Sequence, residues 1–82
     1  MDFRDPVRVG VVFREEGVLE PVWFAWNGRK FPIQAVTHRW RSRDGQRRML
    51  HFAVSASQGL YHLVFDPQRL QWELCGSLDE TA

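Results

Sequence analysis

Val22-Trp23-Phe24-Ala25-Trp26-Asn27-Gly28-Arg29-Lys30-Phe31-Pro32-Ile33 is the stretch whose reading decides the fold. Asn-Gly between two alternating apolar runs is the strongest short-range signal for a β-hairpin, because a type I′ turn needs positive φ at both central residues. Taking Asn27-Gly28 as that turn sets Trp26 opposite Arg29, Phe24 opposite Phe31 and Val22 opposite Ile33. Apolar then meets apolar, so pattern and turn agree on one register. Trp26 opposite Arg29 also suggests a structural cation–π pair.

Outward from this hairpin the chain keeps the same character. Short alternating runs separated by turn residues read as strands, and no segment sustains a helical period. Strand one is expected over Val7–Phe13, with Val7, Val9, Val11 and Phe13 on one face. A loop at Glu15-Glu16-Gly17 leads to strand two over Val18–Trp26. Strand three runs from Arg29 to about Arg41, but its phase slips. Phe31, Ile33 and Ala35 share one face and Val36, His38 and Trp40 the other, which implies a bulge near Ala35 or two apolar faces. Pro32 marks an edge or a break.

Asp44-Gly45 signals a second hairpin, leading to strand four over Arg47–Ala56 with Leu50, Phe52 and Val54 inward. Gln58-Gly59 turns into strand five, Leu60–Phe65, carrying Tyr61, Leu63 and Phe65. Asp66-Pro67 turns into strand six, Leu70–Cys75, carrying Leu70, Trp72 and Leu74. Simple hairpin registers place Phe52 near Leu63 or Phe65, and Leu63 opposite Trp72. The expected fold is therefore all-β, a six-stranded antiparallel meander. With no helix to cover its apolar face, such a sheet curls into a small barrel or rolled sheet, SH3-like in outline. Trp26, Trp72, Phe24, Phe31, Phe52, Phe65 and Tyr61 are the expected aromatic core.

The chain has 82 residues, a size for one domain. Residues 1–76 are expected to form it, with 77–82 an acidic, frayed tail. At this size stability should be about 4–12 kcal/mol, which leaves little room for buried charge. The single cysteine, Cys75, excludes an internal disulfide and fits a reducing compartment. No apolar run approaches the ~18 residues of a membrane span. The opening residues, mixed in charge and containing Pro6, are unlike a signal peptide. A cytoplasmic location follows as the expectation, with no membrane partner and no cofactor.

Charge is unevenly spread. Between Arg29 and Arg48 seven basic residues face one acidic residue, a net of +6, whereas elsewhere four face nine, a net of −5. The tip of this segment, Arg39, Trp40, Arg41, Arg43, Arg47 and Arg48, suits a hairpin that contacts a nucleic-acid backbone. Guanidinium forks bind phosphate and an indole stacks on an unpaired base. The competing reading is a solvated loop that blunts a sheet edge.

A second constellation follows if Asp44-Gly45 is a two-residue turn. His38 then faces His51, His62 lies diagonally on the next strand, and Glu73 faces His62. Zinc accepts that ligand set, although solitary histidines on strand exteriors are common and the spacing is not diagnostic of metal. Trp23 and Trp40 fall out of phase with the core and would serve a protein interface, or be covered by another part of the chain or a second copy. An open strand edge offers another route to a protein partner. Nucleophilic catalysis finds little support. Ser42, Ser55 and Ser57 sit in or beside turns with no base apparent nearby, Cys75 has no assured histidine, and phosphate-loop, HExxH and CxxC motifs are absent. The expectation is a non-enzymatic binding module.

Pro21-Val22-Trp23-Phe24-Ala25-Trp26-Asn27-Gly28-Arg29 followed by Phe31, Val36 and Trp40, then Gly59-Leu60-Tyr61 with Leu63, and Trp72-Glu73-Leu74 with Gly76, resembles a small bacterial domain family. That family has a P-x-x-F-x-W-x-G-R-x-[FY] start, a W-x-L end and no assigned activity. The resemblance covers roughly residues 21–76, mostly through turn and core residues. The domain also occurs as a C-terminal appendage of proteins resembling Y-family translesion DNA polymerases. What the resemblance implies is a role near DNA, or beside a polymerase or repair protein.

Overall fold

A computed structural model describes residues 2–57 and 59–78. Its strands are β1 (Asp2–Phe13), β2 (Leu19–Trp26), β3 (Arg29–Asp44), β4 (Arg47–Ala56), β5 (Gly59–Asp66) and β6 (Gln71–Ser77), with one 3₁₀ turn at Glu15–Gly17. The six pair in chain order, and β1 pairs antiparallel with β6, closing the barrel. Closure solves the problem set by a sheet with one apolar face and no helix: the face is rolled inward and both outer edges meet.

The Asn27-Gly28 turn forms as the dipeptide requires, with φ of 52° and 74°. Trp26 pairs with Arg29 and Phe24 with Phe31. Phe24 and Phe31 stack inside the barrel at 4.9 Å, and Tyr61 meets Phe24 edge-on at 5.3 Å. With Phe52, Val54, Ala56, Leu63 and Leu74 they make the core, and Trp26, Phe65 and Trp72 pack against it. All seven expected core aromatics are there. Arg29 lies over the Phe31 ring, at 5.1 Å, while the Trp26 indole donates a hydrogen bond to Asp5.

Bulges account for the broken phases. On β2, Gly10 faces Trp23 while Val11 faces Pro21, so Val22 is the extra residue and Pro21 takes the buried position. The β2–β3 ladder ends at Trp23 and Pro32, so Val22 does not pair with Ile33 as expected. β3 skips twice against β4, between Ile33 and Ala35 and between Val36 and His38. Each skip absorbs one residue, which keeps Phe31, Ile33 and Val36 facing inward and turns Ala35, His38 and Trp40 outward. Phe13 and Leu70, expected inward, are both 74% exposed.

Two turns set registers other than those expected. Asp44 pairs with Arg47, so the second hairpin turns on Gly45-Gln46 rather than Asp44-Gly45. Only Gly45 of that pair has positive φ, 65°, the pattern of a type II′ turn. Between β5 and β6 a longer turn runs from Pro67 to Leu70, where the Asp66 carboxylate accepts the amides of Gln68 and Arg69. Leu63 therefore faces Leu74, and Phe65 faces Trp72. Phe52 faces Leu63, one of the two expected partners. Ala56 pairs with Gly59, which puts that turn at positions 57–58; Gln58 lies outside the described residues. At the C-terminus, Ser77 Oγ and the Leu78 amide donate to the Leu60 carbonyl, and residues 79–82 of the expected tail lie outside the description. Among the described residues no helix is long and apolar enough to cross a membrane.

Leu63 is fully buried at the centre of the core. Leu63→Ala should cost about 2–5 kcal/mol, a large share of the total for so small a domain. Urea unfolding monitored by tryptophan fluorescence will read this as a lower midpoint at unchanged slope.

Candidate functional site

The Gly45-Gln46 register brings Trp40, not His38, opposite His51. His62, one strand further, reaches the same spot: His51 Nδ1 and His62 Nε2 are 2.8 Å apart. Their ring centroids lie 5.1 Å apart, the separation of two imidazoles hydrogen-bonded side by side. The Trp40 indole is 5.1 Å from each, at 12° to His51 and 30° to His62, so it covers both rings with one face. Trp40 remains 40% exposed on the other. On the far edge of His51, Ser42 Oγ lies 2.6 Å from Nε2.

The chain Ser42–His51–His62 has a single proton in each contact, and its two directions are exclusive. Either Ser42 donates to His51 Nε2 and His51 Nδ1–H donates to His62, or both bonds run the other way. Two fully protonated rings would aim N–H at N–H, so the pair holds at most one extra proton in this geometry. Burial beneath Trp40 holds the His51 pKa below the ordinary imidazole range, and the nearby Arg4 guanidinium adds to this.

The set of His38, His51, His62 and Glu73 does not assemble as a metal site. His38 faces Ala53, Glu73 faces Val64, and Glu73 pairs with Arg4 at 3.5 Å. Only His51 and His62 of that set meet, and among the described residues no group of three or more His, Cys, Asp or Glu could hold a metal. Ser42 does have a base beside it, contrary to expectation, because the Gly45-Gln46 turn shifts β4 by two residues against β3 and brings His51 to it.

The arginines divide into two groups. Past Pro32, β3 pairs only with β4, and Leu19 to Pro21 of β2 pair only with β1, which leaves a seam between β2 and β3. Arg39 spans it. Its guanidinium donates to the Leu19 carbonyl at 2.8 Å, lies 4.0 Å from Glu20 and covers the Phe52 ring at 5.5 Å. Arg47 is held 3.7 Å from the buried Asp66. Arg41, Arg43 and Arg48 are exposed or nearly so at the hairpin and make no ion pair among the described residues. A groove of roughly 430 Å³ lies along the seam, lined by Val18, Leu19, Leu50, Phe52, Trp40 and His51 among others.

Trp23 is half-buried. It lies flat on Gly10, where any Cβ would sit 2.1 Å from its indole nitrogen, and Lys30 Nζ is 4.4 Å above its ring. Glycine at position 10 is the space the indole needs.

No protein-family model, curated protein or solved structure matches the chain.

His51 with a lowered pKa binds its proton more readily in the unfolded chain. Stability is therefore highest above the ordinary imidazole range, falls as pH drops through it, and levels off below the folded pKa. Urea midpoints measured against pH should show this slope, and His51→Gln should flatten it. Arg39→Ala should lower stability by about 1 kcal/mol through loss of a charged hydrogen bond at a part-exposed seam, seen in the same unfolding assay.

Proposed function

We propose that this chain is a nucleic-acid-binding module whose contact surface is the β3–β4 hairpin, with Trp40 as a stacking platform and Arg41, Arg43 and Arg48 as phosphate contacts. The observation that carries the reading is the Trp40 indole. Its inner face rests on His51 and His62 and its outer side is open, so the ring is already held in place before any base arrives. Pre-ordering an aromatic side chain removes part of the entropy cost of binding. Beside it, three guanidiniums that make no ion pair among the described residues supply the electrostatic part. A platform of this kind needs an unstacked base, so the partner is single-stranded DNA or RNA in preference to duplex. The −5 carried by the rest of the chain keeps binding weak, in the range of about 10⁻⁴–10⁻⁶ M typical of sequence-independent contacts. The resemblance to the polymerase-appended domain family adds a context in DNA repair or translesion synthesis, and the lone Cys75 fits a reducing, cytoplasmic setting.

The runner-up is a protein-interaction module. It is favoured by one observation: from Ile33 to Asp44, β3 pairs with β4 alone, so its other edge is a place for an added strand.

Fluorescence anisotropy with a labelled thymidine oligonucleotide separates the two readings. Trp40→Ala should cost about 1–3 kcal/mol of affinity. Joint replacement of Arg41, Arg43 and Arg48 by alanine should reduce the log–log salt slope by about 2, at roughly 0.7 per phosphate contact on a single strand. Parental affinity in the triple-alanine protein would overturn the nucleic-acid reading. Binding of a protein partner that withstands high salt would then favour the β3 edge.

A further inference from the structure

Beside the stacking platform lies a constellation that phosphate and base contacts do not use. Ser42 Oγ is 2.6 Å from His51 Nε2, and His51 Nδ1 is 2.8 Å from His62 Nε2. This is the order of a nucleophile, a base and a group that orients the base. We propose that Ser42 is an activated nucleophile that accepts the acyl group of aryl esters, with His51 as general base and His62 as the positioning residue.

Geometry and chemistry agree on the assignment. When His51 donates its Nδ1 proton to His62, the Nε2 lone pair is left facing the Ser42 hydroxyl, the tautomer a base requires. The Trp40 indole lies across both imidazoles and limits their rotation. Burial that disfavours the imidazolium keeps His51 neutral, and so able to take a proton, at neutral pH. Ser42 itself is exposed, so a substrate reaches it directly.

In the first step a bond forms between Ser42 Oγ and the ester carbonyl carbon as the bond from that carbon to the phenol oxygen breaks. The hydroxyl proton passes to His51 Nε2 and on to the departing oxygen. In the second step water attacks the acyl carbon, His51 takes the water proton and returns it to Ser42 Oγ, and a carboxylic acid leaves. The relay supplies a nucleophile and a base. The leaving group must therefore be a good one, which sets the substrate class at aryl esters rather than alkyl esters or amides. This assignment stands apart from nucleic-acid binding, which uses Arg41, Arg43 and Arg48.

The test is incubation of the full chain with p-nitrophenyl acetate, and separately with a fluorophosphonate, followed by intact mass and peptide mapping. A lasting phosphonyl adduct on Ser42, formed with loss of fluoride, is expected with the fluorophosphonate, and an acetyl adduct with nitrophenolate release is expected with the ester. Ser42→Ala should abolish both, and His51→Gln should slow acylation by about 10²–10⁴-fold. His62→Ala should slow acylation and displace its pH profile, whereas His62→Gln, which keeps an acceptor for Nδ1–H, should restore much of the rate. No adduct on the parental chain would overturn the proposal. So would an adduct that persists in Ser42→Ala, since the acyl group would then sit on an imidazole or an amine. Mapping the parental adduct decides the point even if Ser42→Ala disturbs the fold.

Discussion

Side chains along a two-stranded ribbon meet only as the turn between the strands permits, and here the turn is Gly45-Gln46. Because facing is strict across an antiparallel ladder, a turn placed one residue earlier would exchange every partner of β3 for the one two residues away. With Gly45 in the first central position, Trp40 faces His51 and Ser42 faces Met49. The indole then lies over the imidazole pair, and the hydroxyl reaches His51 along the strand. The placement of Trp40 and Ser42 against His51 descends from that one local conformation, for which a glycine with positive φ is the chemical requirement.

The barrel supplies the second constraint. β3 has 16 residues, twice the length of β2, so the two cannot stay paired throughout. They separate after the Trp23–Pro32 pair, and two bulges bend the rest of β3 with β4. The separation opens the seam groove and frees the distal hairpin from the barrel. Arg39 is the residue that spans the gap, hydrogen-bonded to one side and lying over Phe52 on the other. A residue in the most basic part of the chain thus serves the fold, while Arg41, Arg43 and Arg48 beside it are exposed and make no ion pair among the described residues.

The parts of the structure that were legible in the sequence are those governed by local rules. Asn27-Gly28 gave its turn type and the Trp26–Arg29 and Phe24–Phe31 pairs, and period-two apolar runs located all six strands and the aromatic core. Closure could be inferred from the lack of a helix, though not the β1–β6 pairing itself. The site was less legible because Asp44-Gly45-Gln46 supports two turns. Asp-Gly suggests type I′ and Gly-Gln type II′, and the flanking residues Arg41, Ser42, Arg43, Arg47 and Arg48 are polar on both faces, so burial could not choose between registers. Leu50 is no help, since it faces an arginine in either register, Arg41 in the structure and Arg39 for an Asp44-Gly45 turn. Likewise, nothing local in Phe13 or Leu70 distinguishes them from core residues; Phe13 is the last residue of β1, and Leu70 closes the β5–β6 turn with a φ of 56°.

The central claim is the β3–β4 register, and nuclear Overhauser contacts among the aromatic rings test it most directly. On uniformly labelled protein near neutral pH, the Trp40 indole protons should show contacts to the ring protons of both His51 and His62, and none should join His38 to His51. Contacts between His38 and His51, with Trp40 facing Met49 instead, would place the turn at Asp44-Gly45 and dissolve both the stacking platform and the Ser42–His51–His62 relay.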